Sequence, residues 1–552
     1  MKLNYRKVIF VGFAFFIISA FWQAYDSIVP MMLVNKFGLN QTTSGLIMAL
    51  DNIFALVLLP IFGSLSDKTK TKYGKRTPYI VVGTVLAVVA FISLTFADNM
   101  QLNKVYSGKD EAQFIETLWE DGDNITISNK EFTQNEEKEY TLKDYVSHLV
   151  ANKDYDSLSS DEQINVKETF ISFAGNYDAT YLYENGEYVI TENNGDNIYS
   201  NIITPARSSF AWNVTKSNPL PLVLFIAVLL ITLLSMSTFR SPAVALMPDV
   251  TVKPLRSKAN AVINLMGTAG GILVLVLGMI FKTGKPQNQT MPYTFFVLAV
   301  TSLMVIGLVV FLTKVNEPKW VKDMEEESKK LDNGGEMIVE DSSEDNPNGL
   351  SKGKKLSLLL ILASVALWYI GYNAVTTKFS LYASNVLHTD YNSTLLIAQV
   401  AAIISYVPVG IIASKVGRKK SILAGVLMLS TAFLSATFVT STTNPIVMTL
   451  LFALAGIGWA TINVNSFPMV VELAKGGNVG KYTGFYYTAS MSAQIITPIL
   501  SGFFMDLFGD MRVLFPYATI FAICSFITMF FVKYGDNKVV EKKSALEHLD
   551  VD

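Results

Sequence analysis

Apolar and polar positions in this chain come in blocks rather than in fine alternation. Runs of about 20 apolar residues, long enough to cross the hydrocarbon core as a helix, recur with short polar breaks between them. They predict twelve spans, at about 8–31, 41–65, 77–97, 219–247, 258–281, 292–314, 356–384, 393–414, 420–440, 445–472, 482–506 and 513–533. Two long polar segments interrupt the series. Residues 98–218 carry 22 acidic and 9 basic residues but also Phe114, Trp119, Tyr145, Phe170 and Tyr188, too many apolar rings for a solvated tail. The turn signals Glu184-Asn-Gly186 and Asn193-Asn-Gly195 predict a small mixed α/β insertion there. Residues 316–355, rich in Asp, Glu, Lys, Asn and Gly, read as a flexible linker.

The expected fold class is therefore an all-α membrane protein of two six-helix bundles with an extracytoplasmic α/β insertion. Residues 1–97 and 219–315 form the first bundle around the insertion 98–218. The linker 316–355 leads to a second bundle, 356–535, and a tail, 536–552. Orientation follows from the short loops. Lys68, Lys70, Lys72, Lys75 and Arg76, then Arg256 and Lys258, then Lys415, Arg418, Lys419 and Lys420 gather on one side. The other side's short loops hold little beyond Lys36, Lys282, Lys285 and Arg512. The basic side is cytoplasmic by the positive-inside rule, which puts both termini inside, in the plasma membrane.

Composition agrees: 51% of residues are hydrophobic and 16% charged, against about 25% charged in an average soluble domain. The net charge of −2, with no single basic patch, gives no sign of nucleic-acid binding. A lone Cys524 excludes a disulfide framework, and His148, His388 and His548 have no metal-ligand spacing. No nucleophile–base pair or phosphate-cradling loop is present, so neither an enzyme nor a cofactor is expected.

The halves repeat one design. Gly63-Ser-Leu-Ser-Asp67, a short turn and Gly74-Lys75-Arg76-Thr-Pro78 recur in weaker form as Gly410-Ile-Ile-Ala-Ser-Lys415-Val-Gly417-Arg418, with Ser414 in place of the acid. Aligning Asp249, at the end of the fourth span, with Glu472, at the end of the tenth, sets Arg240 opposite Asn463. Paired halves of this kind are characteristic of secondary transporters.

These motifs resemble the major facilitator superfamily over all twelve spans. The longer loop, with six residues between Asp67 and Gly74 followed by Lys-Arg-x-Pro, is similar to that of the glycoside–pentoside–hexuronide cation symporters, sucrose-transporter-like members in particular. Pro242-x-x-Ala245-Leu246-x-x-Asp249, and Tyr372-Asn373-Ala374-Val375 with Phe379 and Tyr382, resemble the fourth and seventh spans of that branch. The chain departs from it in two places. Leu59 precedes Pro60 where melibiose-type sodium carriers have Asp, and Leu233-Leu-Ser235-Met-Ser237 lacks the acid of plant sucrose carriers. The resemblance implies a cavity lined by spans 1, 4, 7 and 10.

Charges inside hydrocarbon are costly and usually face a cavity or a partner. Asp26, Asp51 and Lys378 are candidates for cation coupling, though each could equally pair with a neighbouring helix or, for Lys378, snorkel to the interface. Tyr25, Asp26, Arg240, Asn264, Asn373, Gln399, Asn463, Asn465 and Gln494 are candidates for substrate contact, because sugar hydroxyls suit bidentate amides, carboxylates and guanidinium groups. The plain alternative for each amide is interhelical glue worth about 0.6 kcal/mol. Gly63, Asp67, Lys75, Arg76, Asp249 and Glu472 are expected to form a cytoplasmic gate, with Asp67 accepting from Lys75 or Arg76 while the carrier faces out.

The expectation is a monomeric carrier bringing in a glycoside, most simply a disaccharide, with a proton rather than sodium. Proton-driven efflux of an amphipathic compound, and a non-transporting sensor built on the insertion, stand as rivals.

Overall fold

A computed structural model describes residues 3–129, 138–174, 179–184, 187–192, 196–252, 255–285, 288, 290–333, 352–471 and 479–534. Glu472, the loop glycines Gly186 and Gly195, and the 536–552 tail lie outside them. The first bundle comprises α1 (Tyr5–Met31), α2 (Gln41–Lys68) and α3 (Thr77–Tyr106), then, past the insertion, α8 (Leu220–Asp249), α9 (Arg256–Phe281) and α10 (Thr294–Lys314). Helix α11 (Glu317–Asn333) leads towards the second bundle: α12 (Lys352–Asn385), α13 (Tyr391–Val416), α14 (Arg418–Ala436), α15 (Pro445–Val471), α16 (Val479–Phe508) and α17 (Leu514–Phe530).

Each bundle has its own apolar core. Phe21, Phe91, Phe225 and Phe239 meet in the first, and Trp368, Phe379, Phe433 and Phe515 in the second. The outward faces expose large apolar side chains such as Val85, Phe295, Ile306, Phe438 and Leu450. Among the described residues, eleven helices are long and apolar enough to cross a membrane. Helix α13 stands at the position of the remaining span. Below, "outer" means the face bearing the insertion and "inner" the opposite face.

The insertion contains α4 (Glu111–Glu120), α5 (Leu142–Ala151), α6 (Ser160–Ala174) and α7 (Thr204–Ser217). Strands β1 (Thr126–Asn129) and β2 (Lys138–Thr141) form an antiparallel pair. Strands β3 (Ala179–Glu184), β4 (Glu187–Glu192) and β5 (Asp196–Asn197) form an antiparallel sheet in the order β4-β3-β5. Phe114, Leu118, Trp119, Tyr145 and Phe170 build its core. It is fastened to the first bundle: Gln101 Nε2 donates to Thr215 Oγ1 at 2.8 Å, and that hydroxyl donates to the Phe37 carbonyl at 2.9 Å. Gly38 lies beneath α7 at φ +69°, where a Cβ would overlap the backbone of Ser208 and Trp212.

Two sequence expectations are corrected here. Lys36 is not a free loop cation. The π-helical turn Met32–Lys36 that ends α1 brings it inside the bundle, where its Nζ donates to Asp98 (2.6 Å) and to the Met291 carbonyl (2.9 Å) and lies 4.1 Å from the Tyr293 ring. Both ion-pair members are fully buried. The start of the 316–355 linker is likewise fixed rather than flexible. In α11, Trp320 and Val321 lie against the first core, and Lys7 Nζ donates to the Trp320 carbonyl at 3.4 Å. An amphipathic turn read as composition alone hides such anchors.

Candidate translocation cavity and its gates

A cavity of about 610 Å³ lies between the bundles. From the first bundle, Trp22, Gln23 and Asp26 of α1, Arg240 of α8, and Asn264 and Gly271 of α9 line it. From the second come Tyr372 of α12, Gln399 and Tyr406 of α13, and Trp459 of α15. Its size falls in the usual range for small-molecule sites, about 300–1,000 Å³.

The two walls differ in chemistry. On the first-bundle side, the Arg240 guanidinium sits 5.6 Å from the Trp22 ring and within Coulombic reach of Asp51, and Asp51 is in turn within reach of Asp26. Asp51 also accepts from its neighbour's backbone N–H (2.6 Å) and Asn52 Nδ2 (2.7 Å). Arg240 thus faces Asp51, and Asp26 stands as a second carboxylate beside Asp51 in a low-dielectric setting. On the second-bundle side, Tyr372 and Trp459 stack at 3.7 Å with an interplanar angle of 4°, and Tyr369 meets Trp459 edge-on at 5.1 Å. Such an aromatic plane suits an apolar C–H face.

Of the nine expected substrate residues, Asp26, Arg240, Asn264 and Gln399 line the cavity and five do not. Tyr25 is fully buried behind the wall against Phe21 and Trp22. Asn373 lies about 100° round the helix from the lining residue Tyr372. Asn463 stands one layer back, hydrogen-bonded to the lining residue Tyr406. Asn465 is buried and donates to its own helix at Thr461 O, 2.9 Å. Gln494 belongs to α16, which contributes no lining residue. Asp51 sits behind the wall, coupled to it through Arg240.

Lys378, expected near the coupling site, is instead at the outer closure. Its buried Nζ donates to Gln41 O and Oε1, both at 3.0 Å. Sequence reading missed the rest of that closure. Asp506 of α16 accepts from Gln41 N–H (2.8 Å), Thr42 N–H (2.7 Å) and Thr42 Oγ1–H (2.5 Å), capping α2 from the opposite bundle. Asn385 Nδ2 donates to Asn35 Oδ1 at 3.0 Å, and Thr283 meets the Tyr391 hydroxyl at 2.9 Å. Gly45 and Gly502 allow α2 and α16 to touch, since a Cβ at either would lie about 2 Å from backbone oxygen across the seam. The hydrogen bonds named here between the bundles lie at the level of Gln23 or further out. The space between the bundles is shut on its outer side.

Among the described residues, the inner cluster is built from Asp67, Lys75, Arg76 and Asp249 of the first bundle, and Glu472 lies outside them. Arg76 bridges Asp67, Ser66 and Asp249 (2.8 Å to the last), and Lys75 reaches Asp249 at 3.2 Å. Gly63 permits close approach to α8, because a Cβ there would sit 2.8 Å from Ser241 Oγ. Glu317, absent from the sequence reading, completes the cluster. Its buried carboxylate accepts from the N–H groups of Lys75 (2.7 Å), Arg76 (2.9 Å) and Thr77 (2.8 Å) and from the Thr77 hydroxyl (2.7 Å), capping α3.

The family model for the Major Facilitator Superfamily matches residues 206–498 and 397–549, more than half of the chain. The chain belongs to the major facilitator superfamily. A second model, described as MFS/sugar transport protein, matches residues 10–115. This transporter also shares 42% identity over 85 residues with the lactose permease of Lactobacillus helveticus. That stretch is 14% of this chain and only 13% of the permease's length. Among solved structures, a D-xylose–proton symporter superposes with a TM-score of 0.55 at 12% identity, over 96% of this chain and 98% of that one. A peptide transporter gives 0.54 at 9% identity over 95% and 93%, and a bacterial homologue of the iron transporter ferroportin in its inward-facing state 0.53 at 12% over 96% and 99%. These likenesses concern the fold. The protein is thus a multi-pass membrane transporter, not an enzyme.

Proposed function

We propose that this transporter takes up a sugar, most simply a disaccharide or other glycoside, together with a proton. It crosses the plasma membrane twelve times, has both termini in the cytoplasm, and works as a monomer by alternating access. The observation that carries the reading is the two-faced cavity. Asp26, Arg240, Asn264 and Gln399 offer donors and acceptors matched to hydroxyls, and the Tyr372–Trp459 stack offers a plane for the C–H face of a pyranose. Two atoms at the wall are buried without a hydrogen-bond partner, Trp22 Nε1 as a donor and Gln399 Oε1 as an acceptor. A hydroxyl can serve both kinds. The sugar-transport model over residues 10–115 and the lactose-permease stretch favour the same class, and with the Asp67–Pro78 loop they favour the glycoside-type branch.

Proton coupling rests on Asp26, Asp51 and Arg240. Arg240 answers the charge of Asp51, Asp26 adds a second carboxylate beside it, and a proton supplies the charge that Asp26 lacks. The test is accumulation of labelled lactose by cells lacking their own carriers, with and without a protonophore. The reading expects the protonophore and Asp51→Asn each to abolish accumulation against a gradient. Uptake indifferent to the protonophore, with Asp51→Asn fully active, overturns it.

A further inference from the structure

One hydrogen bond between the bundles lies on the cavity wall itself. Gln399 of α13 donates from Nε2 to Oε1 of Gln23 on α1 at 2.6 Å, and both side chains line the cavity. Gln23 Nε2 donates in turn to Ser27 Oγ at 3.3 Å, which holds its carboxamide with the oxygen towards the other bundle. The Gln399 oxygen is buried and has no partner. Gly271 of α9 lies alongside: even a Cβ there would sit 3.5 Å from Gln399 Oε1 and 3.7 Å from Gln23 Oε1, so the absent side chain leaves the pair open to the cavity.

We infer that Gln23 and Gln399 are positioning residues that join the outer bundle closure to occupancy of the cavity. The inference rests on the sugar reading for the nature of the ligand, but the closure half of it does not. A carboxamide is planar, so fixing its oxygen fixes its nitrogen. A ligand hydroxyl that donates to Gln399 Oε1 therefore holds Gln399 Nε2 on Gln23, so that filling the site reinforces a rung that is already made. Further out, the Asp506–Thr42 and Asn35–Asn385 contacts hold the same seam away from the solute. An outward-opening step must break the Gln23–Gln399 bond. An occluding step remakes it over the bound solute.

The experiment uses the full chain in lipid nanodiscs, with Cys524→Ser and spin labels at cysteines replacing Ser217 and Thr440. Ser217 is exposed at the end of α7, which is fastened to the first bundle, and Thr440 is exposed at the outer end of the second. Without ligand, Gln23→Leu should move the label-to-label distance distribution towards the long, open population by about fivefold, the ratio of one buried hydrogen bond. Gln23→Asn, one methylene too short to span the gap, should do the same, and either variant suffices if the other does not fold. In lactose transport, Gln23→Leu should lower kcat by a similar factor with a smaller change in KM. Gln399→Leu, which also removes the ligand's acceptor, should raise KM as well. A distance distribution in both Gln23 variants identical to that of the parent overturns the closure role. A KM unmoved by Gln399→Leu overturns the ligand role. Failure of the parent itself to bind lactose counts against the substrate reading alone, and the ligand-free distances still decide the closure.

Discussion

The carboxylate of Asp506 grips Thr42 through both its amide (2.7 Å) and its hydroxyl (2.5 Å), although the two residues belong to different bundles. A helix N-terminus carries unpaired N–H groups and a partial positive charge, and its cap usually comes from its own chain a residue or two upstream. Asn40 plays that part here, accepting from Thr43 N–H at 2.8 Å. Asp506 takes the remaining donors of the same turn, so the seam between bundles doubles as helix capping. Outward opening must leave those donors to water.

Asp506→Ala should therefore favour the outward-open state. Losing a cap costs about 0.5–2 kcal/mol, so the open population should rise by a few-fold to about thirtyfold. Ser44 is fully buried at this seam, and a cysteine in its place is an isosteric reporter. Its alkylation by a membrane-impermeant reagent should speed up by that factor in Asp506→Ala. An unchanged rate would place the outer closure elsewhere.

Lys378 holds the same turn from the other side through Gln41 O and Oε1. Lys378→Met should also open the outer face, by about 1–3 kcal/mol, because it leaves a buried acceptor unpaired. Both residues act on one turn, so the double variant with Asp506→Ala should fall short of the sum of the two single effects. The proton-to-sugar stoichiometry of Lys378→Met should match the parent's. A changed stoichiometry would return Lys378 to the coupling machinery.

Much of this architecture is legible in the sequence. Span length and the basic loops place the helices, and intramembrane charge points to Asp26 and Arg240, because hydrocarbon tolerates ionised groups only where a cavity or partner receives them. Helix rotation is not legible to one residue, which is why Asn373 stands in the expectation where its neighbour Tyr372 lines the wall. Pairings between distant segments are not legible either. Asp506 reads as an ordinary interfacial acid until α2 is seen against it, and Lys36 reads as a loop cation until the π-turn brings it to Asp98. Glu317 carries one available signal, an acid just past the end of a span, opposite a loop whose N–H groups have no local cap.

Glu317 ties the start of α3 to α11 at the inner end. It is 1% exposed and takes four donors from three successive residues. Glu317→Ala leaves those neutral donors unpaired in a buried site and should destabilise the protein by about 1–3 kcal/mol, the scale for an unsatisfied buried donor. Gly74→Ala should act in the same direction through a different cause. Gly74 has φ +106°, and a Cβ would lie 2.2 Å from the Glu317 carboxyl carbon. Thermal unfolding in detergent should show a lower midpoint for both, and a midpoint equal to the parent's in Glu317→Ala would mean that α11 is not anchored there.

The aromatic wall makes a prediction about selectivity rather than stability. Trp459 stacks flat on Tyr372 and takes Tyr369 at its edge, so its ring is fixed on both sides before any solute arrives. Aromatic pairs of this kind are worth about 0.5–1.5 kcal/mol beyond area burial, which holds the plane in place. Trp459→Phe keeps a smaller plane and should raise the KM for lactose by a few-fold. Trp459→Ala removes it, releases Tyr372, and should raise KM by at least tenfold while leaving accumulation sensitive to a protonophore, because the charged cluster lies on the other bundle. Equal KM values for the phenylalanine and alanine variants would mean that the solute does not rest on this face.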